Sequence, residues 1–188
     1  MKAFQCDSCD NLLFFENVTC LRCQHPLGFL PEPLDLCALE KAEADLWRAL
    51  GKNARDRRYR QCKNSSDHQI CNWLVRDNEE SPFCRACRLN LIIPDLSVNG
   101  NQQRWHKLEV AKRRVLYSLL RLNLPTGQEG EKPALRFNFM ANPADGSAIL
   151  TGHNHGIITI NIAEADDAER ERRRTSLREP IRTLIAHF

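Results

Sequence analysis

Eight of the nine cysteines fall into two sets whose spacing points to metal chemistry. The first set is Cys6-x2-Cys9, ten residues, then Cys20-x2-Cys23. A CxxC knuckle places two thiolates on one tight turn. A hairpin between two knuckles brings the pairs together as a tetrahedral four-sulfur site, which suits Zn2+. The intervening "NLLFFENVT" is prone to extended structure and can supply the hairpin. So short a module has almost no core, and metal binding would supply much of its folding energy. The alternatives are a redox CxxC pair, or iron in place of zinc. A redox CxxC normally caps a helix in a βαβ setting, which is missing here. His25 lies two residues past Cys23 and is a conceivable substitute ligand. Four cysteines already fill the site, so His25 reads as an exposed loop residue.

The second set is Cys62, Cys71, Cys84 and Cys87, four cysteines within 26 residues. Cys84-x2-Cys87 is a true knuckle, whereas Cys62 and Cys71 have eight residues between them. A second four-thiolate zinc site is the favoured reading. Four thiols without metal, and His68 replacing one cysteine, stay open beside it. Cys37 is the odd one of nine and reads as a buried or free thiol. His153 and His155 in "TGHNHG" would share a face of an extended strand, but two glycines bracket them and read as a turn. No HExxH, G-x-S-x-G, P-loop or GxGxxG motif accompanies these residues. No catalytic residue is assigned.

The elements that would position these residues follow from periodicity. "ALEKAEADLWRAL" reads as a helix with Leu39, Ala42, Leu46, Trp47 and Leu50 on one face and Gly51 as its stop. "RWHKLEVAKRRVLYSLLRLNL" reads as the best helix in the chain. Its stripe is Trp105, Leu108, Ala111, Val115, Leu116, Leu119 and Leu122. Its polar face is Arg104, His106, Lys107, Lys112, Arg113 and Arg114, and Pro125 with Gly127 ends it. Strands are expected at "ALRFNFMA", "SAILT" and "GIITINIA". "AEADDAERERRR" reads as a solvated helix with pairs such as Glu169–Arg173, and Ser176 with Glu179 fits a capping box before "EPIRTLIAHF". That final stretch carries Ile181, Leu184, Ile185 and Phe188 in helical phase without a stop signal.

The bulk numbers bound the class. A chain of 188 residues that is 42% hydrophobic and 27% charged is globular in composition. A net charge of +3 forces no nucleic-acid partner. No apolar run approaches the ~18 residues of a membrane span, and "MKAFQCDSCD" lacks the apolar core of a secretory signal. A cytoplasmic location and no membrane partner are the expectations.

Many separate blocks then carry a resemblance over essentially the whole chain. Beside the Cys6/Cys9/Cys20/Cys23 ribbon they are "LFFEN" at 13–17, "LGFLPEP" at 27–33, "ALEKAEADLWRAL" at 38–50 and "RRYRQC" at 57–62. They continue with "CNWLV" at 71–75, "FCRACRLN" at 83–90, "IPDLS" at 93–97, "AKRRVLYSLLRL" at 111–122 and "TGHNHGIITINIAEADDAERERRR" at 151–174. The chain resembles a largely uncharacterised bacterial family of zinc-binding metallopeptidases with an N-terminal zinc ribbon. The resemblance implies a zincin-like domain whose HExxH lies a few residues past Phe188. There, two His would bind catalytic Zn2+ and the Glu would act as general base. It also implies that "GIITINIA" is the edge strand that aligns substrate.

The reading is therefore an α+β protein. Residues 1–97 form a zinc-ribbon region with two candidate four-cysteine sites. Residues 98–188 form the first part of a zincin-like domain, cut before its active-site motif. Expected cofactors are one or two structural Zn2+, with catalytic Zn2+ only in a longer form. The expected partner of that longer form is a peptide or protein substrate, and the chain as given should not hydrolyse peptides. The alternative is a zinc-ribbon module that binds nucleic acid or a protein partner through Arg55, Arg57, Arg58, Arg60 and the Lys112–Arg114 face, with Tyr59 as a stacking platform.

Overall fold

A computed structural model describes residues 2–54, 57–126 and 135–176. Arg55, Gly127, the Ser176–Glu179 capping box and the 181–188 stripe fall wholly or partly outside them. The chain is α+β and divides into two compact units, Met1–Arg88 with Leu120–Asn123, and Leu89–Leu119 with Leu124–Phe188.

The first unit begins with a short antiparallel hairpin, β1 (Phe4–Gln5) and β2 (Leu12–Leu13), in which Phe4 faces Leu13. Five strands follow as an antiparallel meander: β3 (Leu27–Leu30), β4 (Asp35–Lys41), β5 (Leu46–Ala49), β6 (Arg58–Gln61) and β7 (Leu74–Arg76). The Phe29 N–H donates to the Asn72 carbonyl at 2.8 Å, and Phe29 bridges Trp73 in parallel, so the first and last strands meet. Gly28 permits this closure, because a Cβ there would sit 2.6 Å from the Leu74 side chain.

The stretch expected to be a helix at 38–50 is instead parts of β4 and β5. Ala, Leu, Glu and Lys favour helix in isolation, but Leu36, Cys37, Ala38 and Leu39 are all buried, as in a fully enclosed strand. Ala44 takes a positive φ of 43° in the connecting turn, and Leu39 then pairs with Ala49. Pairing within the sheet overrides local propensity.

An aromatic cluster joins hairpin to meander within this unit. The Phe15 and Phe29 rings are 4.9 Å apart, and Phe29 and Trp73 are 4.8 Å apart. Phe4 lies edge-on to Phe29 at 6.3 Å. Two polar contacts complete the join: the Ala38 N–H donates to Asp7 Oδ2 at 3.0 Å, and Asn72 Nδ2 donates to the Phe15 carbonyl at 2.6 Å. A one-turn helix, α1 (Lys63–Ser66), sits between β6 and β7.

The second unit is a four-stranded sheet in the order β10-β11-β9-β8. Its members are β8 (Asn90–Ile92), β9 (Arg136–Met140), β10 (Gly152–Asn154) and β11 (Ile157–Asn161). β8, β9 and β11 run parallel, and β10 is antiparallel to β11 at the outer edge. Two expectations change here. "GIITINIA" is an interior strand, with β10 outside it. "SAILT" is not a strand, and the edge strand forms on "GHN", which reads as a turn in sequence. The turn itself is His155-Gly156, with φ of 47° and 85°, the twist a two-residue hairpin requires.

Helix α2 (Asn101–Arg121) packs on the Phe137/Phe139 face of the sheet, with Lys112 Nζ 5.4 Å and 5.5 Å from the two ring centroids. Its buried face includes Trp105, Leu108, Leu116 and Tyr117, but also Glu109, Lys112 and Arg113. Glu109 Oε1 accepts from Asn90 Nδ2 (2.7 Å), Trp105 Nε1 (3.2 Å) and Lys112 Nζ (2.9 Å). Leu122 is exposed. A short 3-10 turn (Ile162–Ala165) leads into α3 (Asp167–Ser176), where Arg173 Nε pairs with Glu169 Oε1 at 2.8 Å as expected.

Candidate metal centres

The first centre is built on the β1–β2 hairpin and the loop before β3. Cys6 and Cys9 flank the turn that follows β1, held by the Cys6 N–H to the Asn11 carbonyl and the Asp10 N–H to the Cys6 carbonyl, both 2.9 Å. Cys20 and Cys23 repeat this geometry, with Cys20 N–H to the His25 carbonyl and Gln24 N–H to the Cys20 carbonyl, also 2.9 Å. Asp10 and Gln24, each one residue past its knuckle, take positive φ of 59° and 61°. The two knuckles thus have the same backbone path. The four sulfurs all lie within 4.8 Å of one another, with Cys6–Cys23 and Cys9–Cys20 at 3.6 Å. Sulfurs ~2.3 Å from one ion at tetrahedral angles stand about 3.8 Å apart. The donor set fits Zn2+ in type, number and spread.

Charge at this centre is unevenly held. Burial pushes the Cys6 thiol up to about 12. The His25 backbone N–H holds Cys23 down at about 5 against burial, and the His25 ring adds to the effect. His25 Nδ1 is 3.3 Å from Cys23 Sγ. The loop residue expected at position 25 is therefore half-buried against a candidate ligand, and it lies outside the four-sulfur group.

The second centre gathers Cys62, Cys71, Cys84 and Cys87, again with every sulfur within 4.8 Å of the others. Cys62 caps α1, its carbonyl accepting from Ser65 and Ser66 at 2.7 Å and 3.1 Å. Cys71 precedes β7, and Cys84 and Cys87 close the next turn. Backbone donors point at sulfur: Trp73 N–H to Cys71 Sγ (3.4 Å) and Cys84 N–H to Cys62 Sγ (3.3 Å). All four residues are buried. The neighbouring Cys71 sulfur raises the Cys62 thiol, and burial raises Cys84. Four thiols in so dry a space cannot all ionise against one another, and a divalent cation removes that conflict. His68 stands outside this group.

Cys37 is a buried thiol, pushed up to about 12 by burial and then by Asp7. His153 and His155 are exposed and belong to neither sulfur group. The basic residues singled out in sequence are differently placed from expectation. Tyr59 is buried between strands, so it offers no stacking face. Lys112 and Arg113 lie inside against Glu109, because a buried carboxylate draws its i+3 and i+4 cations with it. Arg114 of that trio is exposed.

Two CxxC knuckles, one in the turn of the β1–β2 hairpin and one in the loop before β3, with a second four-sulfur group in the same unit, define a zinc ribbon. The chain belongs to the zinc-ribbon family, whose domain model matches residues 3–98. Residues 101–188 match a family described as "Putative zinc-binding metallo-peptidase". An uncharacterized protein of Mycobacterium bovis and two of Mycobacterium tuberculosis are each 32% identical to the chain over 191 aligned residues. The alignments cover 100% of this chain and 51% of each relative, so the chain spans about half the length of the curated relatives it matches. No solved structure matches it.

Proposed function

We propose that this chain is the N-terminal portion of a zinc-dependent metallopeptidase, carrying two structural Zn2+ ions. Cys6, Cys9, Cys20 and Cys23 hold one, and Cys62, Cys71, Cys84 and Cys87 hold the other. The observation that carries the assignment is the convergence of eight sulfurs into two groups, each within 4.8 Å. Their role is architectural, since four cysteines leave a zinc ion no open position for water or substrate.

Residues 98–188 supply the first part of the catalytic domain. The family match over 101–188 and the mixed sheet with its antiparallel outer strand support this reading. β10, whose outer side pairs with no strand among the described residues, is suited to align an extended peptide by main-chain hydrogen bonds. This replaces β11, the strand that the sequence suggested. Hydrolysis itself, by a zinc-activated water with a HExxH glutamate as base, belongs to the longer protein.

The test compares the 188-residue chain with a protein extended to the length of its relatives, on an unfolded protein substrate with and without a zinc chelator. The reading expects chelator-sensitive cleavage by the extended protein and none by the shorter chain, although both hold zinc. Cleavage by the shorter chain, or none by the extended one, would overturn it.

A further inference from the structure

The two centres differ in how oxidants can reach them. In the second, all four cysteines are at most 3% exposed. In the first, each half-exposed cysteine stands 3.6 Å from a buried one: Cys23 beside Cys6, and Cys9 beside Cys20. Cys23 differs from Cys9 in having an imidazole nitrogen 3.3 Å from its sulfur. Thiolates that reach solvent are the ones peroxides oxidise, and a neighbouring thiolate turns the first product into a disulfide.

We propose that Cys23 is a peroxide-oxidised modification site, resolved by Cys6, which opens the first centre and leaves the second intact. This rests on the zinc assignment above. The Cys23 sulfur attacks one peroxide oxygen and the O–O bond breaks. Cys23 becomes a sulfenic acid, and the other oxygen leaves as hydroxide and takes a proton from solvent. The Cys6 thiolate then attacks the Cys23 sulfur. The S–S bond forms, the S–O bond breaks, and a second hydroxide leaves and is protonated. Two thiolates give up two electrons, and one hydrogen peroxide becomes two waters. Cys9 and Cys20 alone cannot complete a four-sulfur shell, so one zinc is lost per chain. The His25 ring, whose Nδ1 lies 3.3 Å from Cys23 Sγ, is a positioning residue for that sulfur.

The experiment uses the whole 188-residue chain. Its zinc content is measured first, and fewer than two zinc per chain at this step counts against the zinc assignment rather than the oxidation. Hydrogen peroxide is then added in graded ratios, with zinc release followed by a colorimetric indicator and disulfides mapped by mass spectrometry. Release should level off at one zinc per chain, with Cys6 joined to Cys23, and a dithiol with added zinc should reverse it. His25→Ala should keep two zinc and release the first one several-fold more slowly. The proposal falls if both zinc ions leave together, if the second centre opens first, or if the bond formed is Cys9–Cys20 or lies within a knuckle. It also falls if peroxide that oxidises a simple thiol peptide releases nothing, or if His25→Ala leaves the rate unchanged.

Discussion

Lys112 Nζ lies 2.9 Å from Glu109 Oε1, and neither side chain reaches solvent. Arg113 Nη1 approaches the other carboxylate oxygen at 3.7 Å. Breaking a buried pair strands a charge, which costs about 3–5 kcal/mol, whereas replacing both partners with apolar groups is often neutral. Lys112→Ala should therefore destabilise the chain strongly, and Glu109→Leu with Lys112→Met and Arg113→Met, which removes all three charges together, should recover much of the loss. Chemical denaturation of these variants beside the native chain checks this, and equal losses in the single and triple variants would disprove the ion-pair account.

Asp7 ties the first knuckle to β4 through the Ala38 N–H. Removing the acceptor leaves a buried donor unpaired, at about 1–3 kcal/mol. Asp7→Ala should lower the midpoint of thermal unfolding while the zinc content stays at the wild-type level. Loss of zinc along with stability would mean that Asp7 serves the metal shell and not the join.

What could be read from the sequence depended on whether the signal was local. The first four cysteines were legible because two CxxC turns bring ligands together without help from the rest of the fold. The second set was legible by count and by its single knuckle, since Cys62 and Cys71 are brought in by α1 and β7 from farther away. The 38–50 stretch was misread because Ala, Leu, Glu and Lys carry helix propensity, although its two halves pair with each other as β4 and β5 and are flanked by β3 and β6. β10 was missed because glycines at 152 and 156 read as punctuation, although only the second stands in the turn proper. Lys112 and Arg113 were assigned to solvent on charge alone. Glu109 three and four residues earlier was the available signal that they could turn inward as a set. Nothing local marked Asp7 as a join to β4.

Cys37 provides a pH test. Its folded thiol is raised from 9.0 to about 12, so folding favours the neutral form. The stability this represents is complete below about pH 9 and is lost as pH climbs towards 12. The native chain should weaken over that window, and Cys37→Ala should weaken less. Unfolding curves at pH 8 and pH 10.5 decide it, and identical losses in both proteins would contradict the assignment.

Chelation should separate the two centres. Cys9 and Cys23 are half-exposed, whereas all four cysteines of the second set are buried. A strong zinc chelator should remove one ion quickly with little change in far-ultraviolet dichroism. The second should leave only as the meander unfolds. Simultaneous loss of both with full unfolding would show that the centres are not independent.

The central claim is that eight cysteines hold two structural zinc ions, and elemental analysis combined with native mass spectrometry tests it most directly. The account predicts two zinc per 188-residue chain, falling to one in Cys9→Ala and to one in Cys87→Ala. Iron in their place, a metal-free folded chain, or a single zinc untouched by either substitution would contradict it.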